Sequence, residues 1–184
     1  MKKKFFLAIA VVLASWSWAK AIGAPDPQDL QQLLQTNKCP ECDLSEASLS
    51  GADLEEASLN DADLSQGKLF KANLANANLK GANLGLAYLS QAKLSGADLS
   101  NANLADANLF AAEAIGANLT EAKLTGAYLS RVNFTGANLT NANLTGAYLI
   151  EANLTDANLS GANLCGAVLP NGRESSQGCD SEGN

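Results

Sequence analysis

The sequence of 184 residues contains no histidine. This absence excludes Ser-His-Asp and Cys-His nucleophile systems, H-E-x-x-H metal sites and the commonest general base. No glycine-rich phosphate-binding loop follows a strand and opens a helix. Basic residues are also scarce, with 12 Lys and Arg against 19 Asp and Glu, a net charge of −7. The sequence therefore predicts a protein that is not an enzyme and that holds no cofactor.

What the sequence does contain is a five-residue pattern, A-x-L-x-x, which runs without a phase change through residues 42–171. Its central position begins at Leu44, recurs 26 times and is leucine in 24 repeats, with Ala114 and Phe134 as the exceptions. The position two residues earlier is alanine in 23 of the 26 repeats. Self-similarity of this kind predicts one structural unit that is stacked many times.

A period of five suits neither regular element. Five residues of an α-helix advance about 500°, which spreads successive leucines around every side of the helix. In a flat strand, an odd period sends each leucine to the opposite face. The pattern therefore predicts short extended segments joined by corners and stacked as a solenoid, with Ala and Leu inside and the residue between them outside.

The last two positions of each repeat are predicted to form the corner. The final position is Gly, Asn or Asp in 16 of 26 repeats, and these residues tolerate the positive φ that type II turns require. Two spacings favour four sides for each coil. Tyr88, Tyr128 and Tyr148 are separated by whole multiples of four pentapeptides, and Ala114 and Phe134 are four pentapeptides apart.

The A-[DN]-L-x-x run resembles the pentapeptide repeat family, and the resemblance covers 130 of the 184 residues. It implies an all-β fold, a right-handed four-sided β-helix with Ala and Leu inside. Four repeats per coil correspond to about six and a half coils, which stack at about 4.8 Å into a rod roughly 31 Å long.

Residues 1–21 have the features of a cleaved export signal. Three lysines precede an apolar run from Phe5 to Trp18, and Ala19-Lys20-Ala21 matches the A-x-A cleavage pattern. The run is too short to span a membrane comfortably, so we expect no stable membrane insertion after cleavage. Cleavage would leave 8 basic against 19 acidic residues, a net charge of −11. Such a surface does not favour nucleic acid.

Four segments are predicted: a signal peptide at 1–21, an N-terminal capping helix and linker at 22–41, the β-helix at 42–171 and a polar C-terminal tail at 172–184. The helix is expected between Asp26 and Lys38, with Leu30, Leu33 and Leu34 on one face. A solenoid end exposes its core and unpaired strand edges, so we interpret this helix as a cap.

The four cysteines are Cys39, Cys42, Cys165 and Cys179. The C-x-x-C pair could indicate a redox or zinc site, but a thioredoxin-type site needs a βαβ setting that is absent. A four-cysteine zinc site would need partners about six coils away, roughly 29 Å along the rod. Rod length leaves only the local pairing, so we expect disulfides Cys39–Cys42 and Cys165–Cys179.

Residues 41–63 contain eight carboxylates and no basic residue. Clustered carboxylates could attract Ca²⁺. Most of them, however, occupy outward or corner positions, where a solvated face would place them. We therefore predict no metal site, although the sequence alone leaves open whether this acidic end binds a cation.

One predicted side has Leu49 and every twentieth residue after it inside, and it collects the large apolar residues that point outward. These residues are Phe70, Tyr88, Phe110, Tyr128, Tyr148 and Ile150. Aromatic residues gathered outside an acidic rod are typical of a protein-binding surface. The alternative is that tyrosine suits an exposed β position and that stacked rings support the ladder.

Together these features predict an exported, non-enzymatic scaffold or protein–protein interaction module. Its protein partner is unknown, and self-association is an option. The L-L-x-T-x-x-C-P-x-C-D-L-S run and the L-C-G-x-x-L-P-x-G ending resemble exported cyanobacterial family members, which implies the periplasm or thylakoid lumen. Other members mimic DNA and bind a DNA topoisomerase. An acidic rod retained in the cytoplasm would fit that alternative function.

The mature protein is expected to begin near Ile22 and to contain no tryptophan, because Trp16 and Trp18 leave with the signal. Intact mass and N-terminal sequencing of exported material check the new terminus. Tryptophan-type fluorescence from the purified mature protein would contradict this prediction.

Overall fold

The structure of the chain is a computed structural model that describes residues 24–179. The predicted signal at residues 1–21 lies outside the described residues. The described chain contains one α-helix, α1 at Pro27–Thr36, followed by a long series of extended bridges. None of the helices in this range is long and apolar enough to cross a membrane.

Extended segments pair in parallel at a constant register, in which the two bridged residues are always four pentapeptides apart. The first bridge joins Lys38 to Ser58, and the last parallel bridge joins Tyr148 to Val168. Each strand is a single bridged residue, the outward one of its pentapeptide. Since the register equals four pentapeptides, each coil has four sides, and the prediction of a four-sided β-helix is confirmed.

The corners follow the geometry that the repeat predicts. In one typical corner the Ala87 N–H donates to the Leu84 carbonyl at 3.1 Å, and Leu86 between them has a φ of 59°. Positive φ at the third residue is the mark of a type II turn. Even Arg131 adopts it, at 61°. The turn is therefore imposed by the stacked backbone at every corner, including those without glycine.

The core is a column of alanine and leucine with one compensating exchange. Ala114 and Phe134 lie on the same side in adjacent coils, since the Ala114 N–H donates to the Asn133 carbonyl at 2.9 Å. Ala114 is 1% exposed and Phe134 is 0% exposed. A close-packed interior tolerates the large ring where a neighbouring side chain is small.

Helix α1 covers the N-terminal end of the core. The Asp26 side chain caps it by accepting from the Gln28 N–H, and Leu33 is buried against the first coil. Asn37 ends it in the left-handed conformation. Leu34 was expected on the buried face, but it is 53% exposed, because Leu33 and the partly buried Leu30 pack against the core while Leu34 is turned to the solvent side.

The β-helix begins one pentapeptide earlier than the alanine and leucine pattern indicates. Cys39 is fully buried at the inward position that leucine takes in later repeats, four pentapeptides before Leu59. Its disulfide with Cys42 has a Cα–Cα distance of 5.3 Å. The carboxylate of Asp29 accepts from the Asp43 N–H at 2.8 Å, which ties α1 to this first coil.

The C-terminal tail folds back along the last coil. Val168 and Glu174 form an antiparallel bridge, and the Leu169 N–H donates to the Arg173 carbonyl at 2.7 Å. The disulfide Cys165–Cys179 anchors the tail at Cys179, with a Cα–Cα distance of 4.7 Å. The segment predicted only as a polar tail therefore pairs part of an edge that would otherwise be exposed.

Phe134→Ala is expected to destabilise the protein by about 3–5 kcal/mol, because it leaves a cavity in a fully packed core. Chemical denaturation measures the free energy of unfolding. The matched control is Leu169→Ala, which removes a partly exposed side chain at the last coil and should cost less. Equal costs for the two variants would contradict the packing of Phe134 against Ala114.

Candidate interaction face

The six predicted residues all lie on one side of the β-helix, which we call the aromatic face. They are Phe70, Tyr88, Phe110, Tyr128, Tyr148 and Ile150. Parallel bridges connect Tyr88 through Asn108 to Tyr128 and Tyr148. Each of the six side chains is between 39% and 55% exposed. The coiling therefore gathers residues that are up to 80 positions apart in sequence.

Two of the tyrosines form a ring stack. The ring centroids of Tyr128 and Tyr148 are 5.3 Å apart, and their planes differ by 13°. This distance is close to the spacing of about 4.8 Å between adjacent coils, so the ladder itself brings the rings together. Both rings remain about half exposed, so the stack forms an ordered aromatic pair at the surface.

Cationic side chains lie beside the two phenylalanines, a feature that sequence reasoning missed. The Lys71 Nζ is 5.0 Å from the centroid of the Phe70 ring, and the Arg131 Cζ is 5.9 Å from that of Phe110. Both distances fall within the range of cation–π attraction. The signal was present in the repeat, because Lys71 and Arg131 both occupy final corner positions on this side.

Arg131 also forms an ion pair with Glu151 one coil away. Its Nε lies 2.6 Å from the Glu151 Oε2, and the two side chains are 60% and 58% exposed. Solvent screening makes such an exposed pair a weak source of stability. The pair matters more for the distribution of charge. It places the Glu151 carboxylate toward the C-terminal end of the aromatic face, whereas Lys68 and Lys71 lie toward its N-terminal end.

The other three sides carry mostly Asn and Asp at the outward position. There the side-chain oxygen accepts from the backbone N–H two residues later, as Asn83 does from Gly85 at 3.2 Å and Asn118 does from Thr120 at 3.2 Å. Such Asx turns stabilise the corner. Amides also pair between coils, for example Asn103 Nδ2 to Asn83 Oδ1 at 2.9 Å.

The aromatic face lacks most of these corner hydrogen bonds. Asn108 accepts from the Phe110 N–H at 3.0 Å, but tyrosine offers no acceptor in this position. Within residues 24–179, the backbone N–H groups of Ser90, Ser130 and Ile150 have no protein partner. The tyrosines therefore occupy positions where asparagine would satisfy one more backbone donor, and corner geometry does not explain their presence.

Three further large apolar side chains are exposed elsewhere. Leu86 is 55% exposed and borders the aromatic face at the corner before Tyr88, Ile115 is 44% exposed on another side, and Leu34 lies on α1. Leu34 was not expected among the exposed residues. Ile115 lies outside the aromatic face, so a substitution of Ile115 can serve as a control for substitutions on that face.

The N-terminal end was the other candidate site. The carboxylate of Asp29 lies near the sulfur atoms of Cys39 and Cys42, and these three residues form a group of metal-ligating type. The two sulfurs are bonded to each other. A disulfide offers no thiolate, so the arrangement supports a covalent clamp beneath α1.

The repeat itself decides the family. Eight copies of the sequence model for pentapeptide repeats match residues 38–76, 68–104, 102–141 and 133–171. The chain belongs to the pentapeptide repeat family. The predicted resemblance is confirmed, and the right-handed quadrilateral β-helix is the fold of this family.

Solved structures similar to this pentapeptide repeat protein come from several sources. HetL, involved in heterocyst differentiation regulation in the cyanobacterium Nostoc sp. strain PCC 7120, is 36% identical; the match covers 75% of this chain and 70% of HetL, with a TM-score of 0.38. A pentapeptide repeat protein of the Arabidopsis thaliana thylakoid lumen is 30% identical, covering 80% and 74%, with a TM-score of 0.27.

QnrB1, a plasmid-mediated fluoroquinolone resistance protein, is 18% identical over 72% of this chain and 70% of QnrB1, with a TM-score of 0.34. A comparison with curated proteins found no significant match to this pentapeptide repeat protein. Members of the family are generally structural or interaction modules, which is the class predicted from the sequence.

Tyr88→Asn is expected to stabilise this pentapeptide repeat protein by about 0.5–1.5 kcal/mol, because the new amide oxygen can accept from the Ser90 N–H. Tyr88 is a clean test position, since its neighbours in the column, Lys68 and Asn108, are not aromatic. Thermal and chemical denaturation measure the change.

The reverse exchange one coil away, Asn108→Tyr, is the complementary variant and should destabilise, although its new ring would lie between Tyr88 and Tyr128. It removes the hydrogen bonds that the Asn108 oxygen accepts from the Phe110 N–H and from the Ser90 hydroxyl, each at 3.0 Å. A lower melting temperature for Tyr88→Asn would instead show that exposed tyrosine supports the ladder.

Proposed function

We propose that this pentapeptide repeat protein is an exported, non-enzymatic scaffold that binds another protein through its aromatic face. The observation that carries the proposal is that tyrosine takes the place of asparagine at three outward positions of the aromatic face. Three tyrosines replace the asparagine that would complete the corners, and they leave backbone donors at Ser90, Ser130 and Ile150 without protein partners. Residues that do not serve the corner and cluster on one side are best explained by binding.

The composition of the face fits a protein partner. Interface centres are enriched in aromatic residues and arginine. The aromatic face combines the Tyr128–Tyr148 stack with Arg131 near the Phe110 ring, and polar serine and asparagine lie between them. Rigid rings held by the stacked backbone lose little conformational entropy on binding, which makes them effective anchors.

Export to the periplasm or the thylakoid lumen is part of the proposal. The predicted signal at residues 1–21 supports it, and the two disulfides agree, because disulfides persist in oxidising compartments. The similar Arabidopsis thaliana protein is a thylakoid lumen protein.

A DNA-mimicking rod that binds a topoisomerase is the second candidate, and the net charge of −7 favours it. On the aromatic face, however, Lys68, Lys71 and Arg131 place cations where a DNA mimic needs anions. Inhibition of topoisomerase supercoiling by the purified chain, together with an uncleaved N terminus, would favour this second candidate over the scaffold.

The double variant Tyr128→Asn/Tyr148→Asn is expected to lose partner binding while its stability changes by less than about 1 kcal/mol. The reason is that the stabilisation lost with the ring stacking and the stabilisation gained from the new corner hydrogen bonds are of similar magnitude. Pull-down from the native compartment with wild-type and variant protein compares the retained partners, and thermal denaturation compares stability.

Ile115→Asn is the matched control, because Ile115 is 44% exposed on another side and Tyr148 is 43% exposed. This control should retain every partner that wild type retains. Identical partners for wild type and the tyrosine variant would overturn the proposed binding face. A large loss of stability with unchanged partners would show that the tyrosines stabilise the β-helix and do not bind a partner.

A further inference from the structure

The aromatic face has an internal symmetry in the order of its residues. The coil with Asn108 and Phe110 is the middle of this face. Residues that lie the same number of coils before and after it form pairs of similar or complementary character. Tyr88 lies one coil before it and Tyr128 one coil after it. The other outer pairs, two coils to either side, are Phe70 with Ile150, Lys71 with Glu151 and Lys68 with Tyr148.

This order matters when two copies of the face are placed together. A two-fold axis that lies in the contact plane, perpendicular to the rod, reverses the order of the coils and keeps each column opposite itself. With the axis at the middle coil, Phe110 meets Phe110 and Tyr88 meets Tyr128 of the second copy. The same axis places Phe70 opposite Ile150, so these three pairs each join apolar residues. Such an isologous contact is the commonest form of dimer.

The charges match in the same arrangement. Lys71 of each copy lies opposite Glu151 of the other, which gives two identical ion pairs. Glu151 is already held by Arg131 at 2.6 Å, so it is oriented before the second copy arrives. Lys68 meets the ring of Tyr148, a cation–π contact. Opposite charges thus face each other at both ends of the contact.

The parallel arrangement does not share this property. A two-fold axis along the rod places every coil opposite itself but exchanges the two edges of the face, so only the middle column faces itself and Lys68 would meet Lys68 of the second copy. Lys71 and Glu151, which share one edge, would lie at opposite edges of the contact and would not meet. Like charges in register cost free energy and suppress an arrangement. Charge therefore selects the antiparallel orientation.

We propose that two copies of this chain associate antiparallel through their aromatic faces, with Lys71 of each copy paired to Glu151 of the other. This inference rests on the proposed function, since it uses the same face and identifies its partner as a second copy. The dimer would cover both tyrosine stacks and leave the three asparagine-rich sides of each rod exposed.

Charge reversal tests the pairing. Lys71→Glu places two carboxylates opposite each other at both ends of the contact, and Glu151→Lys does the same with two ammonium groups. Each single variant is expected to raise the dissociation constant of the dimer at least about tenfold, which corresponds to about 1.4 kcal/mol. Sedimentation velocity over a dilution series measures it for each variant alone.

Mixing the two variants provides the decisive measurement. A Lys71→Glu chain facing a Glu151→Lys chain restores one acid and one base at both ends, so the mixture should form a heterodimer with near wild-type affinity. Lys93→Glu, an exposed reversal on another side, is the control and should dimerise as wild type does. Melting temperatures verify that every variant folds.

Three results would overturn the inference: a wild-type chain that is monomeric at every concentration, single reversals that dimerise as wild type does, or a mixture that fails to reassociate. These results are distinct from failure of the proposed function. A monomeric wild type whose Tyr128→Asn/Tyr148→Asn variant still loses a captured protein would refute the second copy but retain the binding face.

Discussion

The backbone ladder that repeats every four pentapeptides is the constraint on which the rest of the structure depends. From Ser58 onward, each outward residue both donates to and accepts from the coil before it, as Tyr128 does by donating to Ala107 and accepting from Leu109. This pairing fixes the phase of the chain so strictly that Ala and Leu always return to the inside. The same pairing forces positive φ at each corner, including at Leu86 and Arg131. One hydrogen-bond register thus determines core, corner and surface together.

A ladder of this kind separates stability from function. The inward positions and the corners hold the rod, while each outward position can change without altering the path of the backbone. Three sides use this freedom for Asn and Asp, whose side chains add hydrogen bonds to the corners, as Asn118 does for Thr120. The aromatic face uses it for rings and charges. Departures from the repeat are therefore the informative residues in this protein.

The ends of the rod require separate solutions, since the ladder has no natural stop. Leu33 of α1 fills the N-terminal opening, and the tail around Glu174 pairs along part of the last coil. A disulfide lies at each end and links residues of the closing segments to the coils. Cys39 contributes both to the core and to the closure of the N-terminal end. It fills an inward leucine position in the first coil, and it also forms a disulfide with Cys42.

The period of five determined the solenoid, the inward Ala and Leu, and the corner at the last two positions, because no other backbone keeps those side chains together. The spacing of Tyr88, Tyr128 and Tyr148 by multiples of four pentapeptides also placed the aromatic face. Only the tertiary structure decided that Leu34 faces solvent, that the tail folds back, and that Arg131 reaches both Phe110 and Glu151. The physical reason is that these contacts join side chains across coils and ends. A local pattern fixes the direction in which a side chain leaves the backbone, whereas its partner is set by the stacking.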